Sequence, residues 1–277
     1  MDLKYRYSAV IRRVVIGVVI AFCASGCVQR IPQGTPALLQ LTRGVTLNGY
    51  PVTLHLVRPV VTTLGRPLLI YSTGDGGWRG KDLDLFRHLS TFGYATAGFS
   101  APEYVKHLRG DQETTTPSLL ARDFAAIIES AKHELSLPAT TPVILVGVSR
   151  GAGLSVVAAG QPPLRNALDG VVVMGLTKEE EHVRWRRRRQ ATELEIYDYL
   201  PRLDLPLAVI QSTRDNYLPA DQARNLFGSD TDRRQFHAID ARNHSFAGAR
   251  PLLYETLRSS LEWVVRITTP HSTEKAR

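Results

Sequence analysis

Three residues in the second half of the chain have the types and the order that nucleophilic acyl chemistry needs: Ser149, Asp215 and His244. Ser149 is the centre of Gly147-Val148-Ser149-Arg150-Gly151, a G-x-S-x-G pattern. In that pattern the serine occupies a sharp turn from strand to helix, and glycines two before and two after it keep Cβ atoms out of the crowded turn. Such a serine needs a histidine as general base, and the histidine needs an acid to fix its tautomer. The acid is expected next in sequence and the histidine last. Asp215 follows the apolar run Leu207–Ile210, and His244 lies in Asn243-His244-Ser245-Phe246, between a short strand and a closing helix. Asp221 competes for the acid role but suits the cap of the following helix. His88 and His133 fall on expected helices, His237 within a strand, His182 in an insertion and His271 in the tail.

The developing oxyanion needs two backbone N–H donors. One is expected from Arg150, the residue after the serine. The second is expected from Ser72-Thr73-Gly74-Asp75-Gly76-Gly77-Trp78, at Asp75 or Gly76, where glycines let the backbone approach a substrate. A phosphate cradle is the competing reading of this loop, but no G-K-[ST] follows it. No Cys/His cluster has metal-ligand spacing, and the chemistry calls for no metal and no organic cofactor.

These residues need elements to hold them. Asn48-Gly49, between Val45–Leu47 and Val52–Val57, predicts a hairpin. Apolar runs at Leu68–Tyr71, Tyr94–Phe99, Val143–Val148, Gly170–Leu176, Leu207–Ile210 and Phe236–Ile239 predict strands. Helical spacing predicts helices at Lys81–Phe92, Pro117–Leu135, Ala152–Ala159, Ala220–Phe227 and Leu252–Ile267. Strands that are apolar throughout and alternate with helices imply a mostly parallel sheet with helices on both faces. With an initial hairpin and the serine motif, this is the α/β-hydrolase fold. No period of 20–50 residues recurs.

The loop Ser72–Trp78 resembles the S-G-D-G-G-W signature of the VirJ/AcvB-type virulence-associated hydrolases, with Thr73 as one extra residue. The elbow resembles that family's G-Y-S-F-G-A, with Val148 and Arg150 differing, and Asn243–Gly248 resembles its H-H-F-D-G ending in part. The resemblance runs from about Leu68 to Ile267. It implies a periplasmic α/β-hydrolase, an acid at Asp215, and hydrolysis of aminoacylated phosphatidylglycerol, the lysyl ester in particular.

The N-terminus agrees with export. Lys4, Arg6, Arg12 and Arg13 precede an apolar run from Val14 to Ala24, too short to span a bilayer as a helix. Ala24-Ser25-Gly26-Cys27 resembles a lipobox, in which Cys27 is lipidated and becomes the first residue. A plain cleaved signal and an uncleaved anchor are the alternatives. The expected organisation is a lipoprotein-type signal at residues 1–26, a tether at 27–41, the hydrolase domain at 42–269 and a polar tail at 270–277. Cys23 and Cys27 are the two cysteines, so a domain cleaved before Cys27 has no internal disulfide. The formal charge is +8; without residues 1–26 it falls to about +5, since four basic residues and Asp2 go with them. Export argues against nucleic acid as the partner for that charge. A membrane and a lipid or small ester substrate fit it better.

One stretch interrupts the alternation of strand and helix. Residues 177–201 carry Glu179-Glu180-Glu181, then Arg184, Trp185, Arg186, Arg187, Arg188 and Arg189. An insertion after the sixth strand is expected to form a lid. Glu179–Arg189 reads either as a solvated helix with i,i+4 pairs such as Glu180–Arg184 or as a membrane- and substrate-contacting patch formed by Trp185 and Arg186–Arg189. Three functions remain open: a serine esterase, a hydrolase-fold binding protein without turnover, and a serine peptidase.

Overall fold

A computed structural model of the protein describes residues 38–47, 49–59, 65–108, 116–182 and 192–269. Residues 1–37 with Cys27, the segment with Trp185 and Arg186–Arg189, and residues 270–277 lie outside the described residues. Eight strands form one sheet: β1 (Leu38–Leu47), β2 (Tyr50–Pro59), β3 (Leu68–Ser72), β4 (Ala95–Phe99), β5 (Val143–Val148), β6 (Gly170–Met174), β9 (Leu207–Ser212) and β10 (Arg234–Ile239). Their order is β1-β2-β4-β3-β5-β6-β9-β10. Pairing is parallel from β4 to β10, and antiparallel where β2 meets β1 and β4.

The apolar strands face two cores by turns, as a period of two requires. On β5, Val143 and Leu145 enter one core while Ile144 and Val146 enter the other; Val171 and Val172 on β6, and Leu207 and Ala208 on β9, divide in the same way. The first core is closed by α3 (Pro117–Glu134), α4 (Arg150–Ala159) and α6 (Ala220–Phe227), through residues such as Phe124, Leu154 and Phe227. The second is closed by α1 (Gly80–Ser90) and α7 (Arg250–Thr268), through Phe86, Leu89, Leu257 and Leu261. Burying an aliphatic or aromatic side chain contributes about 1.5–3 kcal/mol, so both faces of the central strands stabilise the sheet. This is the α/β-hydrolase architecture expected from the sequence.

The structure changes several boundaries. β1 begins at Leu38, inside the expected tether, because residues 38–47 pair along their whole length with β2. The edge position leaves most of β1 exposed, so its sequence lacks an apolar run. Two short helices, α2 (Ala101–Leu108) and α5 (Pro162–Arg165), were not expected. The insertion departs most. Its first part is not helical: β7 (Glu179–His182) pairs antiparallel with β8 (Thr192–Glu195), and a 3-10 turn follows at Ile196–Arg202. Cross-strand pairing with a segment that begins ten residues later overrides the local helical preference of the glutamates. Arg184 of the expected Glu180–Arg184 pair lies outside the described residues. Among the described residues, no helix is long and apolar enough to cross a membrane.

Candidate active site

The carboxyl ends of β3, β5, β6, β9 and β10 place the candidate residues side by side. Ser149 follows β5 directly and has φ +51° and ψ −120°. A non-glycine residue in that region carries on the order of 1–3 kcal/mol of strain, and the surrounding contacts hold it there. Ser149 N donates to Met174 O at 2.9 Å, and Ser149 O accepts from Ala152 N and Gly153 N as α4 begins. A Cβ on Gly147 would lie 2.7 Å from the Ala152 Cα, and one on Gly151 would lie 2.6 Å from Thr73 O. Both glycines are needed for the reason the motif suggested: the turn is pressed against α4 and against the end of β3.

His244 reaches the serine from the loop after β10. Its Nε2 is 2.8 Å from Ser149 Oγ and its Nδ1 is 2.7 Å from Asp215 Oδ2. Asn243 shapes that loop: its side-chain oxygen accepts from Ser245 N and Ala247 N, and its carbonyl accepts from Phe246 N. The imidazole is mostly buried and its edge meets the Tyr217 ring at 4.7 Å. Asp215 is fully buried at its side chain. Its Oδ1 accepts from Tyr217 N and Leu218 N, and its Oδ2 accepts from Gln211 Nε2 at 3.0 Å as well as facing the histidine. The three residues form one hydrogen-bonded relay from a buried acid to a nucleophile. Asp221 lies inside the first turn of α6 rather than at its cap, which is Pro219, and makes no capping hydrogen bond; its charge there suits the helix N-terminus. His88 stacks on Tyr254 and His133 is exposed, both away from the relay.

The glycine-rich loop closes over the serine. A Cβ on Gly74 would come within 3.2 Å of Ser149 Cβ. Within the loop, Thr73 N donates to Phe99 O, Gly77 N to Gly74 O and Arg79 N to Gly77 O. Gly74 N donates to the Asp82 carboxylate. Asp75 and Gly76, the two expected donors, remain with N–H groups that no contact among the described residues engages. Arg150, whose backbone opens α4, pairs through its side chain with Asp75.

Three contributors escaped the sequence reading. Gln211 is buried on β9, where it donates to Asp215 and to Leu218 O while its own oxygen accepts from Leu176 N at 2.9 Å. Asp82, in the first turn of α1, has its carboxyl pushed up to about 6 by burial, against the hydrogen bond from Gly74 and the nearby Arg250. Gly175, just after β6, has φ +59° and leaves room for the imidazole. A glutamine ending an apolar run and a glycine after a strand were visible signals, but without the register neither pointed to the histidine.

Among the described residues, a larger and a smaller cavity open onto Ser149. The larger, about 500 Å³, is also lined by His244, Asp82 and Arg250. The smaller, about 420 Å³, is lined by Arg150, Thr177, Lys178, Glu179 and Gln222. Asp75 and Tyr217 border both. Among the described residues, no group of three or more His, Cys, Asp or Glu side chains is placed to hold a metal ion.

Residues 67–186 match the family model of the bacterial virulence protein VirJ. The matched span holds the glycine-rich loop and the serine elbow; Asp215 and His244 lie beyond it. It agrees with the resemblance carried by Ser72–Trp78 and Gly147–Ala152. A search of curated proteins finds no significant sequence match. Solved structures share the fold at low identity. Est1E from Butyrivibrio proteoclasticus is 14% identical with a TM-score of 0.61, covering 81% of this chain and 99% of its own. Dienelactone hydrolase from Anabaena variabilis is 18% identical with a TM-score of 0.57, over 84% of this chain and 99% of its own. A serine hydrolase homologue from Coxiella burnetii is 16% identical with a TM-score of 0.58, over 80% of this chain and 97% of its own.

Proposed function

We propose that the protein is an exported serine hydrolase that cleaves a carboxylic ester through an acyl-enzyme. The observation that carries this reading is the unbroken relay Asp215–His244–Ser149 at 2.7 and 2.8 Å. In the proposed cycle His244 Nε2 accepts the Ser149 hydroxyl proton as Oγ attacks the ester carbonyl. The developing oxyanion turns toward the N–H groups of Arg150 and of Asp75 or Gly76. As the C–O bond breaks, the imidazolium returns its proton to the leaving alcohol. Water, deprotonated by the same imidazole, then releases the acid and restores the serine.

The finer reading is supported by the resemblance of Ser72–Trp78 to the VirJ/AcvB-type signature and by the basic-apolar N-terminal segment ending in Cys27. The substrate is an aminoacyl ester of a phospholipid, such as lysyl-phosphatidylglycerol. The enzyme is periplasmic and held at a membrane through lipidated Cys27, with Trp185 and Arg186–Arg189 docking on anionic headgroups.

Purified protein should react rapidly with a fluorophosphonate probe, and Ser149→Ala should abolish both labelling and ester hydrolysis, a loss on the order of 10⁴-fold or more. A serine that does not label would favour a binding protein without turnover. Lipid extracts of a deletion strain, compared with strains complemented by wild-type and Ser149→Ala copies, test the substrate. Aminoacyl-phosphatidylglycerol should accumulate in the deletion strain and fall with the wild-type copy alone. A mature N-terminus at any residue other than Cys27 would refute the anchor.

A further inference from the structure

The two cavities at Ser149 differ in charge. The smaller one is neutralised from within: Arg150 pairs with Asp75, and Lys178 pairs with Glu179 at 3.1 Å and Glu195 at 3.6 Å. The larger is lined by three cations, Arg79, Lys81 and Arg250. Among the described residues, none of the three has a carboxylate within ion-pair distance. Arg79 donates to Gly76 O and Arg250 donates to Lys81 O, contacts that orient the guanidinium groups without cancelling their charge. Of the acids on this side, Asp75 pairs with Arg150, and Asp82 offsets part of the Arg250 charge from beyond ion-pair distance, which leaves Arg79 and Lys81 with most of the uncompensated charge. The Asp82 carboxylate lies under the glycine-rich loop, where an oxygen would be 2.7 Å from a Cβ on Gly76.

The larger cavity is also the one that His244 lines; the smaller is not. A general acid must reach the oxygen of the group it expels. The leaving alcohol therefore belongs in the larger cavity and the acyl group in the smaller.

We infer that Arg79, Lys81 and Arg250 form an anion subsite for a phosphate or carboxylate carried on the alcohol half of the substrate. This inference rests on the hydrolase reading above. A guanidinium offers paired donors that fit either oxyanion, and Lys81 adds a point charge. The neutralised smaller cavity offers no such attraction to a charged acyl group.

The test uses the full chain and four soluble esters. Two are the butyryl esters of glycerol and of glycerol 3-phosphate. The third is the butyryl ester of 3-hydroxypropanoate, and the fourth is monoglyceryl succinate, whose charge is on the acyl half. The phosphate or the carboxylate ester charged on the alcohol half should exceed butyryl glycerol in kcat/KM by about tenfold at low salt. The relative rates of those two distinguish phosphate from carboxylate as the natural group. In the R79Q/K81Q double variant the advantage should collapse toward unity. Equal rates on all four esters, an advantage for the succinate ester instead, or a preference that survives the double substitution would each overturn the subsite. Calorimetric titration of Ser149→Ala with glycerol 3-phosphate separates this inference from the hydrolase reading. Binding that is lost on adding R79Q/K81Q supports the subsite even if no ester turns over. Absence of binding by Ser149→Ala overturns it even if Ser149 labels with a fluorophosphonate.

Discussion

Arg150, the residue after the candidate nucleophile, is ion-paired with Asp75 of the glycine-rich loop. The pair joins the two segments expected to supply the oxyanion donors, one at the start of α4 and one after β3. Arg150 is also a position where the chain departs from the G-Y-S-F-G-A elbow it resembles. Its side chain is 18% exposed and that of Asp75 is 66% exposed, so solvent screens the attraction and the pair is worth on the order of 1 kcal/mol. Its value is geometric.

Asp75→Asn should therefore lower kcat several-fold, about threefold to tenfold, with little change in KM. The defect should shrink at high salt, which already weakens the wild-type pair. Steady-state kinetics of Asp75→Asn, Arg150→Ala and the double variant check this. A double variant much worse than Arg150→Ala alone would mean that the two side chains act separately.

The parts of the site that were legible in the sequence are those that local chain geometry imposes. Ser149, Asp215 and His244 each follow a strand whose apolar residues announce it, and Gly147 of the elbow is forced by contacts a few residues away, with Gly151 and Ala152. Partners supplied by register across the sheet were not legible. Gln211 extends β9 to Ser212 and meets Leu176 only because β6 and β9 pair in parallel with Met174 opposite Ile210. The insertion failed for the same reason. Glu179–His182 reads locally as helix, and the strand that changes its fate begins at Thr192. The edge strand β1 was shortened because solvent on one side relieves it of an apolar pattern.

Gln211 holds three groups at once, the Asp215 carboxylate, Leu218 O and Leu176 N. Gln211→Leu leaves buried polar groups without partners, which costs roughly 1–3 kcal/mol each. It should lower kcat through a displaced Asp215 while KM stays near its wild-type value. Gln211→Glu keeps an acceptor for Leu176 N but sets a second carboxyl against Asp215. In its ionised form that group favours an imidazolium at His244. The acid limb of the kcat/KM profile should then move to higher pH than in wild type. A purely structural role for Gln211 would lower the amount of folded enzyme and leave the profile in place.

Asp82 gives a stability prediction with a definite sign. Burial raises its carboxyl from 3.8 to about 6. A raised carboxyl binds its proton more tightly in the folded than in the unfolded chain. The ionised form thus destabilises the fold, with the penalty absent below about pH 4 and complete above about pH 6. Asp82→Asn removes the charge and keeps an oxygen to accept from Gly74 N. After allowance for partial exposure, the variant should be more stable than wild type by on the order of 1 kcal/mol at pH 8. The gain should vanish as pH falls toward 4. Chemical denaturation of both proteins across this range measures it; a gain that is constant with pH would rule out the ionisation as its source.

Gly175 sets the space available to the histidine. It follows β6 with φ +59°, its N–H donates to Ile210 O at 2.9 Å, and a Cβ there would lie 2.9 Å from His244 Cε1 and 3.3 Å from Nδ1. The imidazole cannot yield freely, because both of its nitrogens are within hydrogen-bonding distance of Ser149 and Asp215. Gly175→Ala should therefore carry two costs. The positive φ strains alanine by roughly 1–2 kcal/mol, and the methyl group displaces the ring by several tenths of an ångström. A misplacement near 1 Å can cost about 10²-fold in rate, so kcat should drop at least tenfold. Gly228→Ala supplies the comparison, since Gly228 has φ +81° with nothing within 4 Å of its Cβ position. Both variants should lose thermal midpoint, since both positions have positive φ, and Gly175→Ala alone should show the large loss in kcat. Equal kcat in the two variants would mean that the histidine tolerates the methyl group and that Gly175 serves only the turn.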